Sequence, residues 1–400
     1  MKIYNIKAKK KPDYTQLSAN ILYKSEKNPR FFWFRFPSDL PKSYLSADPF
    51  LAGILTEAML RKENIEIDGE ISLRFFNSLE IIMDYLCMKI AEFGRIKVTA
   101  REIKKSSSQG NLHGCFFSGG VDSSYTFLKN KDDIDALILI RGQDFDLEPE
   151  NDYVWEKMVA HAREIALEYN KKVITVITNF HFYSKNKNSA AMRFWLRAVH
   201  GSHLAAAGMA LAGLFNKIYI ASGVTFNDLE AFGSHPLLDP LWSTEKLEFV
   251  HDGCEASRPE KINRQVAKSK IILKGLRVCL EDYKHKYNCC RCQKCLKTMA
   301  CLRLAGVLDQ CDSFPEPLNF KLIPRLWLYE KQIVTTWEDV FNEALKKNDT
   351  KLIEAMGKMF KRTKIKNIIY PPIFNTKNPV IITLKRPLKI LVEKMRSRRQ

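Results

Sequence analysis

Two short stretches carry residue types and spacings suited to chemistry. The first is Ser118-Gly119-Gly120-Val121-Asp122-Ser123, followed by Ser124. Paired glycines let a backbone approach a ligand closely and take conformations that other residues avoid. Main-chain N–H groups at the start of a helix form a cradle for an anion such as phosphate. Ser118, Ser123 and Ser124 add hydroxyl donors, and Asp122 suits a magnesium ion or a helix cap. The loop is not a Walker A motif, because no Gly-Lys-Ser/Thr closes it, and it is not G-x-G-x-x-G. Ser118, Asp122 and Ser123 are the candidate catalytic residues. Ser118 through Ser124, including Gly119, Gly120 and Val121, form the candidate nucleotide cradle.

The second stretch is rich in cysteine. Cys289, Cys292 and Cys295 stand in consecutive C-x-x-C steps, and Cys279 precedes them. Four thiolates at such spacings close a tetrahedron around zinc, and an iron–sulfur cluster also accepts four cysteines. Cys290 is an alternative to Cys289, and His285 is a weaker spare. Arg291, Lys294 and Lys297 offset the charge of such a centre. Zinc held by four thiolates has no open position, so the site is expected to be structural and to support folding. Cys87, Cys115, Cys254 and Cys311 are scattered and read as small buried apolar residues.

The elements that must position these groups follow from hydrophobic pattern. His113–Phe117 is a short apolar run entering the glycine loop, and a helix is expected over Ser123–Lys129. Ala136–Ile140 and Lys172–Thr178 read as strands, with a helical repeat over Asp152–Tyr169 between them. A long helical stretch at Met192–Leu214 precedes a strand at Lys217–Ala221. Strands without polar alternation, separated by helices, indicate an α/β fold with a doubly wound parallel sheet over about residues 106–250. Upstream, Arg30–Phe36 and Ile71–Phe75 read as strand-like, and an amphipathic helix is expected over Ser78–Phe93. The expected units are an α+β accessory domain over 1–105, the nucleotide and cysteine-rich domain over 106–312, and a basic, mainly helical region over 313–400. In the last of these, Ile333–Phe360 is the main helical stretch.

Composition limits the class. The chain has 400 residues, 46% hydrophobic and 27% charged, with ten cysteines. Leu204–Phe215 is too short to span a bilayer, and no apolar stretch follows the N-terminal lysines, so the expected setting is cytoplasmic, with reduced thiols. The net charge of +19 concentrates after Lys361, where Glu393 stands alone among lysines and arginines. Such a tail suits an acidic protein partner, nucleic acid or a solvated end.

The glycine loop resembles the PP-loop of the N-type ATP pyrophosphatases, whose signature is Ser-Gly-Gly-x-Asp-Ser. That resemblance implies an adenine nucleotide alpha hydrolase-like fold, with ATP and magnesium bound at Ser118, Gly119, Gly120, Asp122 and Ser123. It also implies transfer of AMP to a substrate oxygen before attack by a nucleophile. With the following cysteines, the pattern is similar to the 7-cyano-7-deazaguanine synthase family, which converts a carboxylate to a nitrile with ATP and ammonia. By position, the resemblance makes Cys279, Cys289, Cys292 and Cys295 the zinc ligands. Its substrate loop corresponds to Ser222–Asp228 and then Gly233-Ser234-His235-Pro236-Leu237-Leu238-Asp239, where the residues differ from the family pattern. Relatives with extra domains belong to natural-product, surface-polysaccharide and anti-phage defence settings, so the acceptor is a small molecule or a protein.

Arg197, Gly233, His235 and Asp239 are the candidate substrate residues. His200, His203 and Arg193 precede the Lys217 strand, and Glu255 and Arg258 lie near the expected mouth. A thiolating tRNA-modifying enzyme and a non-catalytic nucleotide-binding subunit of a complex are the other readings, and the chain is compatible with an oligomer.

Overall fold

The structure is a computed structural model and describes residues 1–40, 45–105, 110–143, 147–180, 198–229, 232–279 and 287–369. The chain divides into two compact units, Met1–Pro317 and Leu318–Gln400.

The first unit is built on one ten-stranded, mostly parallel sheet. Its strands are β1 (Lys2–Lys10), β2 (Tyr14–Leu22), β3 (Arg30–Pro37), β4 (Ile65–Ser72), β5 (Val98–Lys104), β6 (Leu112–Phe116), β7 (Ala136–Arg141), β8 (Lys172–Thr178), β9 (Phe215–Ala221) and β10 (Glu248–Asp252). Their order across the sheet is β10-β9-β6-β7-β8-β3-β2-β1-β4-β5. From β10 to β8 every pairing is parallel. Chain order reverses at β6, since β7 and β8 lie on one side of it and β9 and β10 on the other. The strands expected at 113–117, 136–140, 172–178 and 217–221 all fall in this half.

The strands of the first hundred residues continue the same sheet. β3 runs antiparallel to β8, with Phe34 opposite Thr178 and Arg35 opposite Ile177. Asn179 seals the join: its Oδ1 accepts from the Trp33 N–H at 2.9 Å, and its Nδ2 donates to the Phe31 carbonyl at 2.7 Å. Behind the join, the rings of Phe32, Phe34, Phe50 and Phe180 pack at centroid separations of 5.1–5.8 Å. Helix α1 (Asp48–Arg61) is buried along nearly its whole length in this core.

The run Ile71–Phe75 is not one strand. β4 ends at Ser72, whose hydroxyl accepts from the Phe75 N–H at 3.1 Å and so starts α2 (Leu73–Lys89). The remaining helices that bear on the site are α3 (Val121–Lys129), α4 (Asp152–Glu168), α5 (His200–Met209), α6 (Arg258–Arg264), α7 (Lys270–Lys274) and α8 (Gln293–Leu304). Of the helix expected over Met192–Leu214, residues 192–197 lie outside the described residues and α5 is the part present.

In the second unit, the helical stretch expected over Ile333–Phe360 is two helices, α9 (Lys331–Lys346) and α10 (Thr350–Ile369). Asn348 takes a left-handed φ of 53° between them, which ends one helix and lets the next begin. Trp337, Val340, Ala344, Leu352, Met356 and Met359 are buried. The basic tail after 369 lies outside the described residues, and among those described no helix is long and apolar enough to cross a membrane.

Candidate functional site

The glycine loop joins β6 to α3 where the strand order reverses, and in open α/β sheets ligands bind at such points, beyond the carboxyl ends of the strands. Gly119 has φ +72°, a conformation that costs a side chain about 1–2 kcal/mol. The loop is held open from within: the Ser123 hydroxyl accepts from the Ser118 N–H at 3.2 Å and lies 3.2 Å from the Ser118 hydroxyl. Gly120 caps α3 with extended backbone, and its carbonyl accepts from Ser124 N–H at 3.0 Å. Ser124 Oγ and Thr126 Oγ1 are buried without hydrogen-bond partners.

Cations surround this loop. Asp122 accepts from Arg258 Nη2 at 2.6 Å and from Lys261 Nζ at 3.1 Å. Lys261 also donates to the Ser222 carbonyl at 2.6 Å, so it ties the end of β9 to the loop. Burial would raise the Asp122 pKa, but the charges of Arg258 and Lys261 outweigh it and hold the carboxyl at about 2. Asp122 is therefore an ion-pair hub, and a nucleotide-bound magnesium would have to compete with two cations for it. Lys297 is buried beside the same group; burial, then the neighbouring Arg258 charge, lowers its pKa to about 7. The main-chain N–H of Arg277 donates to the Gly119 carbonyl at 2.8 Å and so fixes the loop against the segment that leads to Cys279. A Cβ at Gly119 would lie 3.8 Å from the Arg277 Cβ.

Arg258 and Lys261 are placed by a capping box. The Ser257 N–H and hydroxyl both meet the Glu260 carboxylate, at 2.8 and 2.9 Å, and start α6 with Pro259 in its first turn. Sequence alone places Arg258 near the expected mouth and gives Lys261 no role. The Ser257-Arg258-Pro259-Glu260 signature of a helix start was the available signal.

The four expected cysteines come together. The ligand atoms of Cys279, Cys289, Cys292 and Cys295 all lie within 4.8 Å of one another, and all four residues are buried. A tetrahedral site with bonds of about 2.3 Å has edges of about 3.8 Å, and Cys289 and Cys295 stand 3.9 Å apart, so the set fits a single metal ion such as zinc. Proximity to Cys279, then to the other thiols, pushes Cys292 and Cys295 far up in pKa; a cation would reverse that by sharing the charge. The N–H groups of Cys292 and Cys295 donate to the sulfurs of Cys289 and Cys292 at 3.3 and 3.4 Å. Cys290 turns out of the set: it takes φ 57°, and its thiol points to the Asn288 carbonyl at 3.7 Å. His285 lies outside the described residues.

Asn288, absent from the sequence-based set, is fully buried and organises both arms of the knuckle. Its Oδ1 accepts from the N–H groups of Val278 and Cys279, and its Nδ2 donates to the carbonyls of Leu276 and Ser313. The cysteine cluster and the residues beside the glycine loop are close in the chain. Arg277 stands two residues before Cys279, and Lys297 two residues after Cys295 on α8.

Among the candidate substrate residues, Arg197 lies outside the described residues, as does Arg193. The Gly233 carbonyl accepts from the Gly201 N–H at 3.0 Å, which fixes the Gly233–Asp239 segment against α5. His235 is buried, and its Nδ1 accepts from the Leu237 N–H at 3.1 Å. Asp239 is fully buried and accepts from Ser234 Oγ and His251 Nδ1, both at 2.7 Å. His203 is stacked face to face on Phe180 at 3.8 Å in the core. Glu255 accepts from Tyr125 and Lys129 on α3.

In comparisons with known proteins, no family model matches the chain, and neither a curated protein nor a solved structure does.

Proposed function

We propose that the chain is an ATP-dependent adenylating enzyme of the PP-loop type. On this reading, the mostly parallel half of the sheet is the doubly wound nucleotide fold. The loop Ser118–Ser123 grips the departing pyrophosphate, and AMP passes to a carboxylate or amide oxygen of the substrate. A nitrogen nucleophile then displaces AMP, as in the conversion of a carboxylate to a nitrile. The observation that carries the reading is the convergence of Arg258 and Lys261 on Asp122, with Lys297 buried beside them, at a left-handed glycine loop on the reversal point of the sheet. Such a site has the charge to hold a polyphosphate and to stabilise the charge that builds up as pyrophosphate leaves.

Asp122 would be the residue to hold magnesium, and Cys279, Cys289, Cys292 and Cys295 would hold zinc, each ion supplying charge neutralisation. The acceptor is a small molecule such as a deazaguanine carboxylate, or a protein within a defence or biosynthetic system. The basic tail suits contact with an acidic partner. A thiolating role is less favoured, because all four clustered cysteines fit one ion and leave no reactive pair among them.

The test is pyrophosphate release by the metal-loaded protein with ATP, magnesium and 7-carboxy-7-deazaguanine, with mass spectrometry of small molecules and of protein. Release of pyrophosphate with loss of mass from the carboxylate supports the nitrile-forming case, and a mass gain on a protein redirects it to conjugation. ATP binding with no pyrophosphate release from any carboxylate offered would make the chain a nucleotide-binding subunit instead.

A further inference from the structure

The outer face of β1, β2 and β3 carries a second set of groups that takes no part in the glycine loop. Side chains alternate across a strand, so Phe32, Phe34 and Phe36 of β3 enter the core while Phe31, Trp33 and Arg35 face away from it. The strand register lines up their neighbours. Lys9, Gln16 and Arg35 form one row across the sheet, and Lys7, Ser18 and Trp33 form the next. Phe31 stands one row further on, opposite Asn20, and is 49% exposed. Aromatic rings thus collect on β3, small polar groups on β2 and lysines on β1.

Arg35 is held in a defined pose. Its guanidinium lies 4.1 Å from the Trp33 ring centroid and 4.8 Å from that of Tyr14, and its Nε donates to Gln16 Oε1 at 2.9 Å. Lys7 and Lys9 are exposed and form no ion pair with a described residue. Farther along the same sheet the charges are matched. Lys2 meets Glu66 at 3.0 Å, Arg101 meets Asp68 at 2.9 Å and Lys104 meets Glu70 at 2.7 Å, so the carboxylates of β4 are neutralised in place. By contrast, β1, β2 and β3 contain no Asp or Glu. Their outer face therefore joins unneutralised cations to exposed rings.

We propose that this face binds single-stranded RNA. Unpaired bases have free ring faces, and Phe31 and the Trp33–Arg35 stack offer planes for them, whereas a duplex keeps its base faces stacked inside. Neighbouring strands lie about 4.8 Å apart, so the lysines of β1 stand roughly 10 Å from the rings of β3. That span sets phosphates over Lys7 and Lys9 while bases stack on β3, and it leaves the ribose over β2. There the Asn20 side chain and the Gln16 amide N–H groups, whose Oε1 is already engaged by Arg35, meet the 2′-hydroxyl that separates RNA from DNA. An acidic peptide would engage the lysines and leave the exposed rings without a role. The face is separate from the glycine loop, and its binding of RNA does not depend on what that loop activates.

The experiment uses the full-length protein and a short fluorescein-labelled oligouridine, with binding followed by fluorescence anisotropy. Phe31→Ala is expected to weaken binding by about fivefold or more, and Phe31→Tyr to restore it. The double variant Lys7→Gln/Lys9→Gln should lower the slope of log affinity against log salt by about 1.4, as expected when a single strand loses two phosphate contacts. All three side chains are exposed, so the variants should melt at the wild-type temperature. Ultraviolet cross-linking with peptide mass spectrometry should place the RNA on the peptide that holds Phe31 and Trp33. Affinity unchanged by Phe31→Ala, or cross-links confined to the basic residues after 369, would overturn the proposal. Oligodeoxyuridine bound as tightly as oligouridine would overturn the assignment to RNA. Polyglutamate that displaces the probe as well as unlabelled oligouridine does would make this a face for an acidic protein instead.

Discussion

Asp122 lies in the glycine loop, yet its partners come from 136 and 139 residues away in the chain. That separation explains what was legible here. Two glycines and three serines announce their backbone role locally, because the left-handed Gly119 needs a residue without a side chain. An ion pair with Arg258 and Lys261 depends on β9, α3 and α6 meeting, and no local pattern records it. Asp122 also yields a pH prediction. Its folded pKa of about 2 lies below the unfolded value of about 3.9, so it contributes stability that is complete above that value. The contribution is lost as pH falls through about 2. Urea unfolding followed across the acid range should therefore show Asp122→Asn less stable than wild type at neutral pH, with the gap closing below pH 4. A gap that stays constant with pH would mean that the ion pairs contribute nothing. A second substitution, Gly119→Ala, should cost about 1–2 kcal/mol through its positive φ and weaken ATP retention.

The cysteine knuckle acts as an element. Its ligands were legible because thiol spacing along the chain is itself the coordination signature. Asn288 was not, since a buried amide that serves four main-chain groups looks in sequence like any loop asparagine. Asn288→Ala would leave two carbonyls and two N–H groups buried and unserved, at about 1–3 kcal/mol for each unsatisfied group. The expected result is a lower melting temperature and less bound zinc per chain, measured by elemental analysis. Chelation carries the argument into the nucleotide site. Because Arg277 and Lys297 flank the ligands, stripping the metal should weaken ATP binding by about tenfold or more, even where circular dichroism retains the sheet. Equal ATP affinity in loaded and stripped protein would show that the knuckle stabilises its own segment and leaves the loop unaffected. Iron in place of zinc on elemental analysis would revive the thiolation reading.

At the scale of the first unit, the strands from β6 to β9 follow from their apolar runs, whereas β1 and β2 do not. Their sequences, Lys-Ile-Tyr-Asn-Ile-Lys-Ala-Lys-Lys and Tyr-Thr-Gln-Leu-Ser-Ala-Asn-Ile-Leu, mix polar and apolar residues without a clear period. Nor does a sequence show that β3 and β8 are neighbours, because pairing across the interior of a chain is set by the whole topology. The join predicts that a fragment lacking residues 1–105 will not behave as an independent domain. It would expose the edge of β8 and strip Phe180 of Phe32 and Phe34. Light scattering of the refolded fragment should report aggregation; a monodisperse, cooperatively melting fragment would refute the prediction. Phe34→Ala in the intact chain should cost about 3–5 kcal/mol, read by urea unfolding.

The join between Trp33 and Asn179 spans 146 residues. On a ribosome adding about 5–20 residues per second, roughly seven to thirty seconds separate the appearance of β3 from that of its neighbour. Throughout that interval Arg30–Pro37, with its four phenylalanine rings and one tryptophan, presents an unpaired edge to solvent or to another nascent chain. Faster translation or a holding chaperone should therefore raise the yield of soluble protein more than a lower growth temperature that slows synthesis along with folding.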